Sequence, residues 1–322
     1  MREQEQLEED LKLVVCSAAA SAKKFVGTGE KEAGDQAAVD AMRRAFEQAK
    51  MDAVVRVGEG EKDEAPMLYV GEKLGNGGGL KLDIAVDPVE GTSLMAAGKP
   101  NAIAVVAATE RNGFWSAGSA YYMKKIVVGP TAKRAVDITK STEENLKAIA
   151  QATGKKTEDL VVYVLDKPRH VELRKEIEAC GATVDLHPEG DVIGSVLALM
   201  PDSEVDALMG IGGAPEAVIT AAAVLALGGD MQGQLAPQHK EEREALLKDG
   251  KDLSQVLYLH DLVKADWAVF AAAGVTAGVL LDQPKETTTE EILVDCLVIG
   301  PESGKIHSEL YSYSPINTNG AQ

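Results

Sequence analysis

The chain has 322 residues, enough for a large core and about two domains or lobes, with 45% hydrophobic and only 4% aromatic residues. Its 33 Lys and Arg stand against 51 Asp and Glu, a formal net charge of −18, which excludes nucleic acid and anionic membrane as general partners. A phosphorylated ligand would have to be drawn in by local cations or by metal ions.

The opening MREQEQLEEDLKLVV carries acids where a signal peptide needs basic residues and an apolar core. Apolar positions at Leu7, Leu11, Val14, Val15, Ala18 and Ala22 predict a helix over 3–25. GTGEKEAGD (27–35) interrupts it, and a second helix is expected over 37–49, then a strand at 53–57 and a loop at 58–66. A helix at 65–74, a glycine-rich turn at 76–79 and a strand at 82–86 follow. Pro88 and Gly91 in DPVEGT suit the end of that strand and a turn into a helix, with strands again at 101–109 and 121–129. The polar stretch 131–160 holds the capped helix STEENLKAIAQATG, and the lobe boundary is placed near its end: 1–155 as a metal- and phosphate-binding lobe, 156–322 as a sugar-binding lobe. From 161 to 228 strand and helix alternate regularly, which predicts a parallel sheet with crossover helices. A solvated helix is expected within 238–252, apolar runs return over 266–310, and the tail is polar. No stretch reaches the roughly 18 apolar residues of a membrane span. Cys16, Cys180 and Cys296 are too scattered for a disulfide framework or a zinc site, so the chain reads as a soluble protein of a reducing cytoplasm.

Four acidic loops stand at junctions between elements: Asp35 in EKEAGD, Glu59, Glu61 and Asp63 in GEGEKDEAP, Asp87 and Glu90 in DPVEGT, and Glu216 in GIGGAPE. If they converge, so many carboxylates cannot all stay ionised without cations. Oxygen-only ligands without His or Cys point to Mg²⁺ or Mn²⁺, and a pair of such ions about 3.5–4 Å apart suits phosphoryl transfer to water. The acids follow glycines or precede helices, where backbone N–H groups are free for phosphate oxygens. Thr92 reads either as a helix N-cap or as a hydroxyl that orients the attacking water, with Asp63 as proton acceptor. Lys167-Pro168-Arg169 follows a strand, where the two cations suit an anionic group or a solvated helix start. Gly212-Gly213 permit close backbone approach, and Tyr122 reads equally as core or as a ligand contact. His170 and His187 lack the neighbours a triad or a His-rich metal site needs, and read as structural.

Several long motifs, in order, resemble the class II fructose-1,6-bisphosphatases of bacteria: GTGEKEAGD (27–35), VRVGEGEKDEAPMLYVGEKLG (55–75), DIAVDPVEGTSLMAAGKPNAIAVVA (83–107), KPRH (167–170) and PDSEVDALMGIGGAPE (201–216). The DPxEGT core is shared with the wider superfamily of lithium-sensitive, metal-dependent sugar and inositol phosphatases. The resemblance implies a mixed α/β fold layered as an α-β-α-β-α sandwich in two lobes. It implies hydrolysis of the 1-phosphate of fructose 1,6-bisphosphate in gluconeogenesis, two or more Mn²⁺ or Mg²⁺ ions, and a homo-oligomer, dimer or tetramer. By motif, the implied metal ligands are Asp35, Glu59, Asp87, Glu90 and Glu216, with Lys31, Asp63 and Thr92 around the reacting phosphate. The implied substrate contacts are Glu90, Gly91, Thr92, Tyr122, Lys167, Pro168, Arg169, Glu189, Gly190, Asp191 and Gly213. PEGD departs from the family's usual DGD at Glu189, and Glu30 from a frequent Asp. The longer Glu189 side chain leaves sedoheptulose 1,7-bisphosphate open as a second substrate. A catalytically silent sugar-phosphate sensor is the reading from another class, though every matched position carries suitable chemistry. A dinucleotide enzyme is disfavoured, because GIGGAP is not GxGxxG.

Overall fold

In the computed structural model, which describes residues 2–58, 68–288, 291–301 and 307–313, side-chain alternation along two sheets sorts the core into layers. The chain forms α1 (Arg2–Ala22), α2 (Lys31–Gln48), β1 (Met51–Val57), β2 (Lys73–Leu74), β3 (Leu80–Glu90), α3 (Thr92–Ala96), β4 (Ile103–Glu110) and β5 (Tyr122–Val128). Then come α4 (Thr142–Thr153), β6 (Val161–Leu165), α5 (Val171–Ala179), β7 (Thr183–His187), α6 (Asp191–Leu199), β8 (Ala207–Gly213), α7 (Ala214–Leu227) and β9 (Asp230–Leu235). The remainder is α8 (Lys240–Lys248), β10 (Leu257–Tyr258), α9 (Leu259–Leu262), β11 (Val269–Gly274), β12 (Lys285–Glu286), β13 (Ile292–Ile299) and β14 (His307–Tyr313).

The first sheet runs β12-β13-β11-β4-β3-β1-β2 with β14 beside β13, and the second runs β10-β9-β5-β8-β6-β7. Along β4, Ala104, Val106 and Ala108 pack with α1 and α2, while Ile103, Val105 and Ala107 pack on the other side with α6 and α7. That period of two is what a strand buried on both faces requires. In the second sheet, Tyr163 and Leu165 of β6 join the same central core, whereas Val162 and Val164 face α4 and α5. The layers are therefore α1/α2, first sheet, α6/α7, second sheet, α4/α5: the α-β-α-β-α order expected from the resemblance. Lying between two sheets, α7 is apolar all round and almost fully buried, down to Thr220. Helix α4 begins with the expected cap, Ser141 and Glu144 bonding each other's backbone and side chain. Among the described residues no helix is long and apolar enough to cross a membrane.

Two expectations differ from the structure. The helix proposed at 65–74 is absent over its described part, where Lys73 and Leu74 form β2 antiparallel to β1; residues 59–67 lie outside the described residues. The 161–228 region does give parallel pairs, β6 with β7 and β8, but β5, β9 and β10 join antiparallel, so the sheet is mixed. Neither sheet is one continuous stretch of chain: β5 belongs to the second sheet, and β11 to β14 return to the first. Pairing across such sequence distances is chosen by tertiary packing and leaves no local signal.

Candidate metal and phosphate site

Strand β3 carries its apolar run into Asp87-Pro88-Val89-Glu90. Positions 87 and 90 are an odd number apart, so on a regular strand their side chains would face opposite sides. The register shows otherwise: Asp87 pairs with Val105 and Glu90 with Ile103, leaving one extra residue on β3. This bulge, at a proline that has no N–H to donate, turns both carboxylates toward the central layer. The Asp87 carboxylate accepts from Val89 N at 3.0 Å, which holds the turn. Gly91, at φ 88, ends the segment and is itself the N-cap of α3, so Thr92 stands one place inside the helix and makes no capping bond. The N-cap reading of Thr92 is thereby removed, and its half-buried hydroxyl is left for another role.

Two helix starts from the second sheet meet these acids. At α6, the N–H of Asp191 donates to Glu90 Oε1 at 3.0 Å and that of Val192 lies 3.5 Å from the same oxygen. At α7, Gly213 is the N-cap, Pro215 sits in the first turn, and Glu216 follows. Asp87, Glu90 and Glu216 each offer a carboxylate oxygen, all within 4.8 Å of one another. Glycine makes this possible. A Cβ on Gly213 would fall 1.5 Å from Glu216 Oε2, and one on Gly212 would fall 1.9 Å from Asp191 Oδ2.

The electrostatics are those of buried carboxylates that raise one another. Burial, then the charges of Glu216 and Asp191, push Glu90 up to about 8. Burial also raises Glu216; the Lys125 ammonium opposes it and Asp191 adds to it. Glu216 Oε2 is buried with no hydrogen-bond partner. Lys125, fully buried, bonds the Asp191 carboxylate and donates to Gly213 O at 3.0 Å. It was not among the expected site residues. Its one signal is a lysine at an inward position of YMKKIVV, between Met123 and Val127 of the central core.

The second expected group assembles beside it. Tyr122 pairs in register with Gly213, and the Arg169 guanidinium lies 5.1 Å from the Tyr122 ring centre. Arg169 Nε is anchored on Ile211 O at 2.9 Å. It also lines a cavity of about 200 Å³ in which the cations of Lys124 and Lys140 outnumber the one carboxylate, Glu176, which accepts from the Thr142 hydroxyl. Lys167 precedes the short helical turn Pro168–His170 and is half-buried. Gly190, at φ 104, caps α6, and the Glu189 carbonyl accepts from the Tyr163 hydroxyl at 3.3 Å.

Asp35 is buried in α2 but does not belong to the group of three, and Lys31 is exposed at the start of the same helix. The loop before α2 is tied to the end of α3 by Gly27 N to Met95 O and Gly29 N to Ala96 O, both 2.9 Å. Glu59, Glu61 and Asp63 lie outside the described residues. His170 uses both nitrogens structurally: Nδ1 lies 2.7 Å from Leu165 O and Nε2 accepts from Ile211 N at 2.7 Å, while burial holds its pKa down. His187 stacks on Tyr163 with ring centres 4.2 Å apart.

The chain matches the family described as bacterial fructose-1,6-bisphosphatase, glpX-encoded, over residues 5–309. A class 2 fructose-1,6-bisphosphatase of Haemophilus influenzae is 47% identical over 295 residues, covering 86% of this chain and 88% of that protein. Fructose-1,6-bisphosphatase 1 class 2 of Escherichia coli K12 is 43% identical over 295 residues, with the same coverage of 86% and 88%. Among solved structures, the extragenic suppressor protein suhB of Bartonella henselae shares 13% identity and a TM-score of 0.34, over 60% of this chain and 72% of its own. At that score the likeness is too loose to place the fold.

Proposed function

This chain belongs to the bacterial, glpX-encoded fructose-1,6-bisphosphatase family, and we propose that it is a divalent-metal-dependent phosphatase that removes the 1-phosphate of fructose 1,6-bisphosphate. The observation that carries the chemistry is the buried group of Asp87, Glu90 and Glu216, with oxygens within 4.8 Å of one another and Glu216 Oε2 unpartnered. The group fits a hard cation: all donors are carboxylate oxygens, and without a cation Glu90 is driven toward protonation. Asp87, Glu90 and Glu216 would hold Mn²⁺ or Mg²⁺, with Glu59 and Asp35 completing the set that the resemblance implies. Such ions, when bound, supply the positive charge that draws a phosphomonoester into an acidic protein and favours attack by water.

The chain's own residues do the rest. Backbone N–H groups at the α6 start fix Glu90, and the glycine turn before α7 leaves Glu216 its place. Thr92, not engaged as a cap, is the hydroxyl offered to the water or phosphate, with Lys31 and Asp63 as its partners. Tyr122, Lys167 and Arg169 suit the distal phosphate, Arg through a bidentate fork, and Gly91, Pro168, Glu189, Gly190, Asp191 and Gly213 would frame the sugar. Among the described residues no serine or cysteine at the site is set up as a nucleophile, which favours direct transfer to water. The role would be cytoplasmic and gluconeogenic.

The test is phosphate release from fructose 1,6-bisphosphate with Mn²⁺, Mg²⁺ or EDTA, with sedoheptulose 1,7-bisphosphate and inositol 1-phosphate in parallel. Metal-dependent release from the six-carbon bisphosphate is expected, and Asp87→Ala and Thr92→Ala should fold yet lose most turnover. Comparable release from the seven-carbon sugar would make the enzyme a dual bisphosphatase. No release from any of the three would overturn the reading in favour of a silent sensor.

A further inference from the structure

We propose that Lys125 is a positioning residue of this site: its ammonium ties the Asp191 carboxylate to the Gly213 carbonyl and thereby fixes the starts of α6 and α7 against Glu90. The inference rests on the bisphosphatase reading for its kinetic test, but its structural part stands on geometry alone. On β5, Met123 and Val127 point into the central core, and Lys125 lies between them on the same face, where alternation calls for an aliphatic side chain. Its in-register neighbours are Gly210 on β8 and Gly233 on β9. Neither carries a side chain, and the space a Cβ would take there is filled by His170 at Gly210 and by Met123 at Gly233. The side chain is 0% exposed and that of Asp191 7%.

A buried ion pair is a poor device for stability, because well-packed apolar residues of similar volume commonly serve as well or better. Its location points to a different use. Lys125 reaches two consecutive structures of the site, the α6 start through Asp191 and the α7 start through Gly213 O. Asp191 in turn presents its N–H to Glu90, on the opposite sheet. The Asp191 carboxylate rests directly on the β8 backbone, where any Cβ at Gly212 would displace it, so the ammonium holds it in one place. Removing the ammonium frees that carboxylate and loosens both helix starts at once.

The test uses the full-length protein as wild type, Lys125→Met, Lys125→Arg, Asp191→Asn and the double variant Lys125→Met/Asp191→Asn. Hydrogen exchange, independent of activity, is expected to quicken at 189–193 and 211–216 in Lys125→Met and not elsewhere; unchanged exchange at both segments overturns the proposal. In kinetics on fructose 1,6-bisphosphate, Lys125→Met should lower kcat/KM by about 10–100-fold, the usual range for partners that orient metal ligands, with the larger part of the change in KM and partial recovery in Lys125→Arg. In the Asp191→Asn background the lysine change should cost clearly less than it does in the wild type, since only the bond to the Gly213 carbonyl is then left to lose; losses that multiply in full would overturn the proposal. Should Lys125→Met fail to fold, the double variant, which carries no unpaired buried charge, is compared with Asp191→Asn by the same criterion. Wild-type turnover alone decides the functional reading, so failure of that reading is visible separately from failure of Lys125.

Discussion

Glu90→Gln isolates the electrostatic cost that the site carries without metal. Burial and neighbouring acids push the Glu90 carboxyl from 4.5 to about 8. The folded protein therefore binds a proton that the unfolded chain releases between those pH values, and stability falls as pH rises through that window. At about 1.4 kcal/mol per pH unit, the interval from 4.5 to about 8 amounts to about 5 kcal/mol, of which about 4 kcal/mol falls between about pH 5 and about pH 8.5. Glutamine keeps the shape and the oxygen that accepts from Asp191 N but has no charge to lose. Unfolding by denaturant in EDTA, at a series of pH values, should show the wild type losing about 4 kcal/mol relative to Glu90→Gln across the window. Saturating Mn²⁺ should abolish that loss in the wild type, because the ion binds the ionised form of the folded state. Parallel pH curves for the two proteins in EDTA would refute the reasoning.

Gly213 has φ −67, which alanine adopts without strain, so Gly213→Ala tests the space that its Cβ would take from Glu216 Oε2 without straining the backbone. Glu216 must then leave the group of three, and the Mn²⁺ concentration for half-maximal activity or thermal stabilisation should rise about 10–100-fold; an unchanged value would show that Glu216 is not a ligand. His170→Ala should lower the unfolding free energy by about 2–4 kcal/mol, since it strands the Leu165 carbonyl and the Ile211 N–H, both inside the fold. A denaturation difference under about 0.5 kcal/mol would contradict that structural role.

What could be read from the sequence follows the range of the forces involved. The N-terminal helix, the strand ending in DPVEGT, the α4 cap and the glycine turn before Glu216 are local patterns, and all four stand where the spacing put them. The layered α/β order also came through, carried by the family resemblance. Hidden from a sequence reading were features decided by a partner strand. Asp87 and Glu90 share a face only because β3 gains a residue against β4, and the odd spacing by itself argues the opposite. The helix expected at 65–74 is absent over its described part because the two residues of β2 are held by pairing with β1, and so short a strand has no room to show a period of its own. Thr92 was a fair N-cap by composition, but Gly91 in the left-handed region took that place. Lys125 is legible only once its strand is known to be buried on both faces.

Glu90 belongs to the first sheet, while Asp191 and Glu216 begin helices that follow strands of the second, so the acid group lies across the junction between the two sheets. That placement follows from the central layer. Helices α6 and α7 are apolar enough to be buried between sheets, and their first turns are the positions in that layer where polar groups remain free to meet a carboxylate. A divalent ion held by Asp87, Glu90 and Glu216 would therefore join the two sheets as well as bind phosphate. Its removal should be felt as a looser junction between them, with stability and turnover lost together over the same range of ion concentration. Separate ion dependences for melting temperature and for phosphate release would mean that the stabilising ion and the reacting ion occupy different places.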